Sequence, residues 1–153
     1  MDLILWRHAE AEPQRDGLTD LQRALTSKGE RQAQRMAEWL DRRLADTTRI
    51  LVSPAVRTEQ TVEPLGRPYK LATVLQPGAD PAELLRAVHW PTSAEPVLVV
   101  GHQPTLGLVA SLLLCGQEQP WAVKKGAVWW LRSRQRDGVA QVTLHAVQPV
   151  DLL

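Results

Sequence analysis

Three short apolar runs in this sequence end on residues able to do chemistry. "LILW" (3–6) runs into Arg7 and His8, "RILVS" (49–53) ends on Ser53, and "VLVVG" (97–101) runs into His102. If the runs are strands of an open α/β sheet, these residues lie beyond the strand carboxyl ends, where such sheets bind ligands. Arg57 joins them, because it lies about one turn into the helix expected after Ser53 and long helical side chains lean back toward the helix N-terminus. The expected start of that helix at Ser53 adds unpaired N–H groups and partial positive charge.

Two arginines and two histidines around one small volume repel one another unless an anion lies between them. The planar guanidinium fork suits phosphate or carboxylate oxygens, so a phosphoryl group is the expected ligand. A histidine is a nucleophile only when neutral, and neighbouring arginines oppose its protonation. His8 is therefore the expected nucleophile, with Arg7 and Arg57 stabilising the transferring phosphoryl oxygens and His102 as a second donor to them.

Each residue also has a plainer reading. An Arg-His pair can be a solvated sheet edge, His102 a loop residue, and Arg57 a surface partner of Glu59 or Glu63, although neither sits at the favoured helical spacing. The conjunction at three strand exits favours the chemical reading. Zinc needs three or four ligands and is opposed by adjacent arginines, so no metal is expected. His89 and His145 are read as structural, and the Trp129-Trp130 pair as strand packing rather than base stacking.

The elements that must position these groups follow from punctuation and periodicity. "TSKGERQAQRMAEWLDRRLAD" predicts an amphipathic helix, with Ser27 and Glu30 spaced as a capping box and Ala33, Met36, Ala37, Leu40 and Leu44 on one stripe. Ser53 as N-cap, Pro54 at the first helical position and Gly66 as terminator frame a second helix. "DPAELLRAVHWP" predicts a third, capped by Asp80, and "QPTLGLVASLLLCG" a more buried fourth. "AVWWLRSR" (127–134) and "VAQVTLHAV" (139–147) predict strands flanking a hairpin turn at "QRDG". The pattern is an α/β fold: a three-layer α/β/α sandwich with a mostly parallel central sheet and an antiparallel edge from the C-terminal strands.

Composition narrows the function. The 153 residues suit a single domain spanning 1–153, and 44% hydrophobic with 23% charged residues is the make-up of a globule. A net charge of +1 offers no global attraction to nucleic acid or an anionic membrane. The one cysteine, Cys115, lies in an apolar run and is expected to be buried and inert. It allows no internal disulfide, which suits a reducing cytoplasm. No signal-peptide core or span-length apolar stretch is evident, so a cytoplasmic protein and a monomer are expected.

With those residues in place, the chain resembles the histidine phosphatase superfamily, the phosphoglycerate-mutase-like group, and within it the short SixA-like phosphohistidine phosphatases. "LILWRHAEAEP" resembles the opening strand and R-H-G motif, which implies His8 as nucleophile. "ALTSKGERQA" is similar to the L-T-x-x-G stretch, "LVSPAVRTEQT" to the S-P…R…Q-T stretch with Arg57 as the second phosphate-binding arginine, and "VLVVGHQPTLG" to the stretch bearing His102. The likeness runs in order from roughly residue 3 to 107. Ala9 replaces the usual glycine, which a negative φ would permit.

The resemblance implies no cofactor, and inorganic phosphate as product. Many members place a carboxylate between the second and third strands as proton donor, and here Asp80 and Glu83 are the candidates. If neither serves, a phosphoramidate is the better substrate, since imidazole departs without a strong general acid. The short connection between "RHAEA" and the helix at Ser27 leaves no lid, which suits phosphohistidine on a phosphotransfer protein. Arg23, in "QRALT", is a candidate for the pocket rim. The alternatives are a phosphatase of small-molecule monoesters and a non-catalytic phosphate-binding module.

Overall fold

The computed structural model describes residues 1–153. Strands β1 (Asp2–Arg7), β2 (Arg49–Val52) and β4 (Val97–Gly101) are the three apolar runs, with β3 (Lys70–Leu71) a two-residue edge strand. Helices α1 (Ser27–Asp41), α2 (Val56–Val62), α3 (Pro81–Ala87) and α4 (Thr105–Cys115) lie between them, and β5 (Val128–Arg136) with β6 (Val139–Gln148) completes the chain. The sheet has six strands in the order β3-β2-β4-β1-β5-β6. Its first four strands run parallel, while β5 and β6 are antiparallel additions at the far edge. This is the expected α/β architecture.

Strand alternation separates two cores. Ile4, Trp6, Ile50, Val52, Leu98 and Val100 face Met36, Ala37 and Leu40 of α1 and Val62 of α2. Leu3, Leu5, Val97 and Val99 face Leu84 of α3 and Leu106, Val109 and Ala110 of α4. Every residue of β4 is buried, as a central strand covered on both faces must be. Each such aliphatic side chain contributes about 1.5–3 kcal/mol by leaving water.

The hairpin between β5 and β6 turns at Asp137-Gly138, both with positive φ, as a two-residue turn that follows the strand twist requires. The tryptophan pair splits across the sheet. Trp130 packs into the α1–α2 core and donates from its indole nitrogen to Asp2, while Trp129 meets Trp121 on the other face.

Three local expectations are corrected. The N-cap of α1 is Thr26, one residue before Ser27: its hydroxyl oxygen accepts from Gly29 N at 2.9 Å and donates to the Glu10 carboxylate at 2.7 Å. Helix α2 begins at Val56 rather than at Pro54, and its N-cap position is Ala55, so Ser53 caps nothing. Cys115 is exposed. Helix α4 buries Thr105 to Gly107 and Val109 to Ser111, its last turn is less buried, and Gly116 ends it in the left-handed region.

Gly29 joins α1 to the exit of β1. A Cβ there would lie 2.0 Å from the Glu10 carbonyl oxygen, a backbone atom, so the helix can approach this loop only through a glycine. Alanine is better than glycine in a helix by about 1 kcal/mol, but this clash outweighs it. Gly29→Ala is expected to lower unfolding stability by a net ~1–2 kcal/mol in urea titration; an unchanged or higher midpoint would contradict the close packing.

Candidate active site

Register carries the polar residues to one pole. Arg7 of β1 pairs with Gly101 of β4, and Val52 of β2 with Val100, so His8, Ser53 and His102 leave three adjacent strands at nearly the same level. The β1 exit is pinned by His8 N donating to Gly101 O and by Gly126 N donating to the carbonyls of Arg7 and His8. The His8 and His102 rings lie 5.3 Å apart, tilted by 55°.

The His8 Nδ1 stands 2.7 Å from the Ala9 carbonyl. A carbonyl only accepts, so Nδ1 carries the proton and the Nε2 lone pair is free. That Nε2 has no protein partner and opens on a cavity of about 170 Å³ lined by Arg7, His8, Arg23, Arg57, His102 and Lys125, with Ala11, Pro77 and Gln103. Ala9 is outside the left-handed region, so alanine serves where the resembled motif has glycine. Its N–H donates to Thr61 Oγ1, whose hydroxyl donates to Arg57 O, tying the loop to α2.

Burial of the ring, with smaller contributions from Arg57 and Arg7, lowers the His8 pKa to about 4 against the opposing Ala9 hydrogen bond. Burial and then Arg57 lower that of His102 to about 3. Both rings are neutral at neutral pH. His102 is held between Ser53 Oγ, 2.7 Å from Nε2, and Arg57 Nη2, 3.3 Å from Nδ1.

Arg57, only 3% exposed, is fixed from the loop before α1. Its Nη1 donates to Asp20 O at 2.7 Å and its Nη2 to Asp20 Oδ2 at 3.0 Å, while Asp20 Oδ1 accepts from Arg23 Nε at 3.0 Å. These bonds outweigh the cost of burial at Asp20 and hold its carboxyl below the usual range. Arg7 Nη1 donates to Val123 O at 2.8 Å. The Nε atoms of Arg7 and Arg57 are both buried without a protein partner. Two orphan donors each carry an unmet desolvation cost of about 1–3 kcal/mol.

His8, Arg7, Arg57, His102 and Arg23 therefore converge. The plainer alternative, a surface pairing of Arg57 with Glu59 or Glu63, is not found: its carboxylate partner is Asp20. The two candidate proton donors stand apart from the cavity lining: Asp80 caps α3, its Oδ1 accepting from Ala82 N at 3.0 Å, and Glu83 is exposed, 3.9 Å from Arg86. His89 closes α3 with its carbonyl accepting from Thr92 and Ser93, and His145 meets the edge of Trp130. Asp20, Thr61 and Lys125 are site-forming residues to which sequence reasoning gave no role. Asp20 left a trace there, three residues before Arg23, and Thr61 as the last residue of the quoted "LVSPAVRTEQT".

Comparison with known proteins agrees with this geometry. A profile of the histidine phosphatase superfamily (branch 1) matches residues 3–80. Phosphohistidine phosphatase SixA of Escherichia coli is 30% identical over 128 residues, 78% of each chain. An uncharacterized protein of Picosynechococcus is 32% identical over 161 residues, spanning 100% of this chain and 95% of that one. The structure of the protein histidine phosphatase SixA complexed with tungstate superposes with a TM-score of 0.77 at 26% identity, over 99% of both chains. The chain belongs to the histidine phosphatase superfamily. It is a SixA-like phosphatase, and none of its helices is long and apolar enough to cross a membrane.

The unfolded chain takes up its histidine protons near pH 6.5, whereas the folded chain resists until about pH 4 at His8 and about pH 3 at His102. Acid therefore costs stability as pH falls through that window, and these two groups add nothing above it. A ring titration by NMR is expected to leave both neutral at pH 5.5, with His8 changing near pH 4; a His8 midpoint at 6 or above would refute the buried neutral nucleophile.

Proposed function

We propose that the protein removes phosphate from phosphohistidine on a partner protein, by way of a covalent phospho-His8 intermediate. The observation that carries this reading is the lining of the cavity: cations, imidazoles and neutral groups, without a carboxylate. An alkoxide leaving group needs a proton in the transition state, whereas an imidazole can leave after protonation of its distal nitrogen. The nearest carboxylate, Asp20, is an anion clamped between Arg57 and Arg23 and is a poor acid.

In the first step the His8 Nε2 lone pair forms a bond to phosphorus, and the P–N bond of the substrate breaks with its electron pair returning to the leaving imidazole. In the second, water attacks phosphorus, the P–N bond to His8 breaks, its electron pair returns to Nε2, and the water proton leaves with inorganic phosphate or to solvent. Arg7 and Arg57, which line the cavity, bind the equatorial oxygens through guanidinium N–H groups, and His102 contributes a further donor. Arg23 and Lys125 flank the cavity as further positive groups.

Size supports a protein substrate. Small-molecule pockets usually enclose about 300–1,000 Å³, and a cavity of about 170 Å³ holds a phosphoryl group while leaving the rest of the substrate outside. A SixA structure is complexed with tungstate, itself an oxyanion, which supports an oxyanion ligand for this chain. A phosphotransfer protein of a signalling relay meets these requirements, and we assign the activity to a cytoplasmic monomer built as one domain.

The test compares a phosphohistidine-bearing phosphotransfer protein with an aryl phosphate monoester. Preferential release from phosphohistidine is expected, with at least a ~10³-fold loss in His8→Ala; strong monoester turnover with phosphohistidine untouched would overturn the substrate assignment. Asp80→Asn and Glu83→Gln are expected to keep phosphohistidine turnover within about twofold, as for surface changes away from the reacting atoms. A loss of a hundredfold or more in either would restore that residue as the acid.

A further inference from the structure

Ser53 has the position of a helix cap in the sequence but not its role. It is fully buried, lies three residues before α2, and aims its hydroxyl oxygen at His102 Nε2, 2.7 Å away. Across the ring, Arg57 Nη2 is 3.3 Å from Nδ1. A guanidinium can only donate, so this contact needs a lone pair on Nδ1. The single proton of the neutral ring is then on Nε2, donated to Ser53 Oγ.

That tautomer is unsuited to the donor role assigned above to His102, on which this inference rests. Nε2 is occupied by buried Ser53, and Nδ1 is the nitrogen on the Arg57 side, where the cavity lies. Donation to a phosphoryl oxygen needs hydrogen on Nδ1. Protonating the whole ring would supply it, but before an anion enters the cavity burial and Arg57 hold the ring neutral down to about pH 3.

We propose that Ser53 is a positioning residue that lets His102 exchange tautomers when a phosphoryl group enters the cavity. A hydroxyl both donates and accepts, so the one contact at 2.7 Å serves either form. On entry, one proton leaves Nε2 and one is taken at Nδ1 through solvent at the cavity mouth. The ring stays neutral and no net proton is gained. The Ser53 hydroxyl rotates to donate to Nε2, while the phosphoryl oxygen comes between the ring and Arg57 and accepts from both Nδ1–H and the Arg57 Nη2 hydrogen that had met the ring. Alanine at 53 leaves buried Nε2 without a partner in both tautomers, so the ring loses the anchor that holds it in the pose that meets phosphate.

The experiment is a two-bond proton–nitrogen correlation on the histidine rings of the ¹⁵N-labelled protein, titrated with inorganic phosphate. The wild type is expected to show Nε2–H alone and Nδ1–H when saturated. Ser53→Ala is expected to weaken phosphate binding and lower kcat by about tenfold to a hundredfold, with Ser53→Thr restoring the exchange. Phosphate-bound wild type still protonated at Nε2, or Ser53→Ala with unchanged exchange and affinity, overturns the inference and leaves the phosphoryl site standing. Phosphate that shifts neither His8 nor His102 overturns the site reading and this inference together.

Discussion

Two guanidinium groups and two imidazoles have to share one small, largely buried volume, and the loops around the sheet pole are arranged to make that tolerable. The backbone carbonyl and carboxylate of Asp20 take the Nη edge of Arg57, the same carboxylate takes Arg23, and the Val123 carbonyl takes Arg7. Each contact fixes direction as well as offsetting charge. Arg7 Nη2 keeps no protein partner, and the buried Nε atoms of Arg7 and Arg57 have none either. The protein alone thus leaves donors at this pole unfinished.

The histidines escape the charge problem by staying neutral. Burial is the leading cause at both rings, and the arginines add to it, so His8, the proposed nucleophile, carries a free lone pair without a neighbouring base. The Ala9 carbonyl settles which nitrogen of His8 is free. At His102 the corresponding contact is a hydroxyl, which accepts either assignment. A nucleophile needs one fixed tautomer, whereas a group that meets both an arginine and a phosphoryl oxygen benefits from two.

The scaffold makes these contacts possible through its register. Placing β4 between β1 and β2 sets His102 beside both His8 and Ser53. The first turn of α2 then carries Arg57 back over the same pole. The loop from Glu10 to Thr26 closes onto this arrangement through Gly29 and the Thr26–Glu10 contact, bringing Asp20 to Arg57.

The parallel strands, the four helices, the "DG" hairpin and the convergence of Arg7, His8, Arg57 and His102 were legible in the sequence, because burial period, turn chemistry and strand-exit position are local properties. Edge strand β3 was not, since two residues carry no period. Cys115 was misread because an apolar run does not say where a helix leaves its sheet. Ser53 was misread because a hydroxyl beside proline suits a cap, and only the neighbouring strand reveals a stronger claim on it. Asp20 and Asp80 show the same division. Their residue type marks both as possible acids, yet one clamps arginines and the other caps a helix, because the role of a carboxylate depends on which distant donor it reaches. The sequence by itself thus determined the fold class and the four groups at the pole. Tertiary structure decided their partners, protonation and tautomers, since these depend on contacts between segments far apart in the chain.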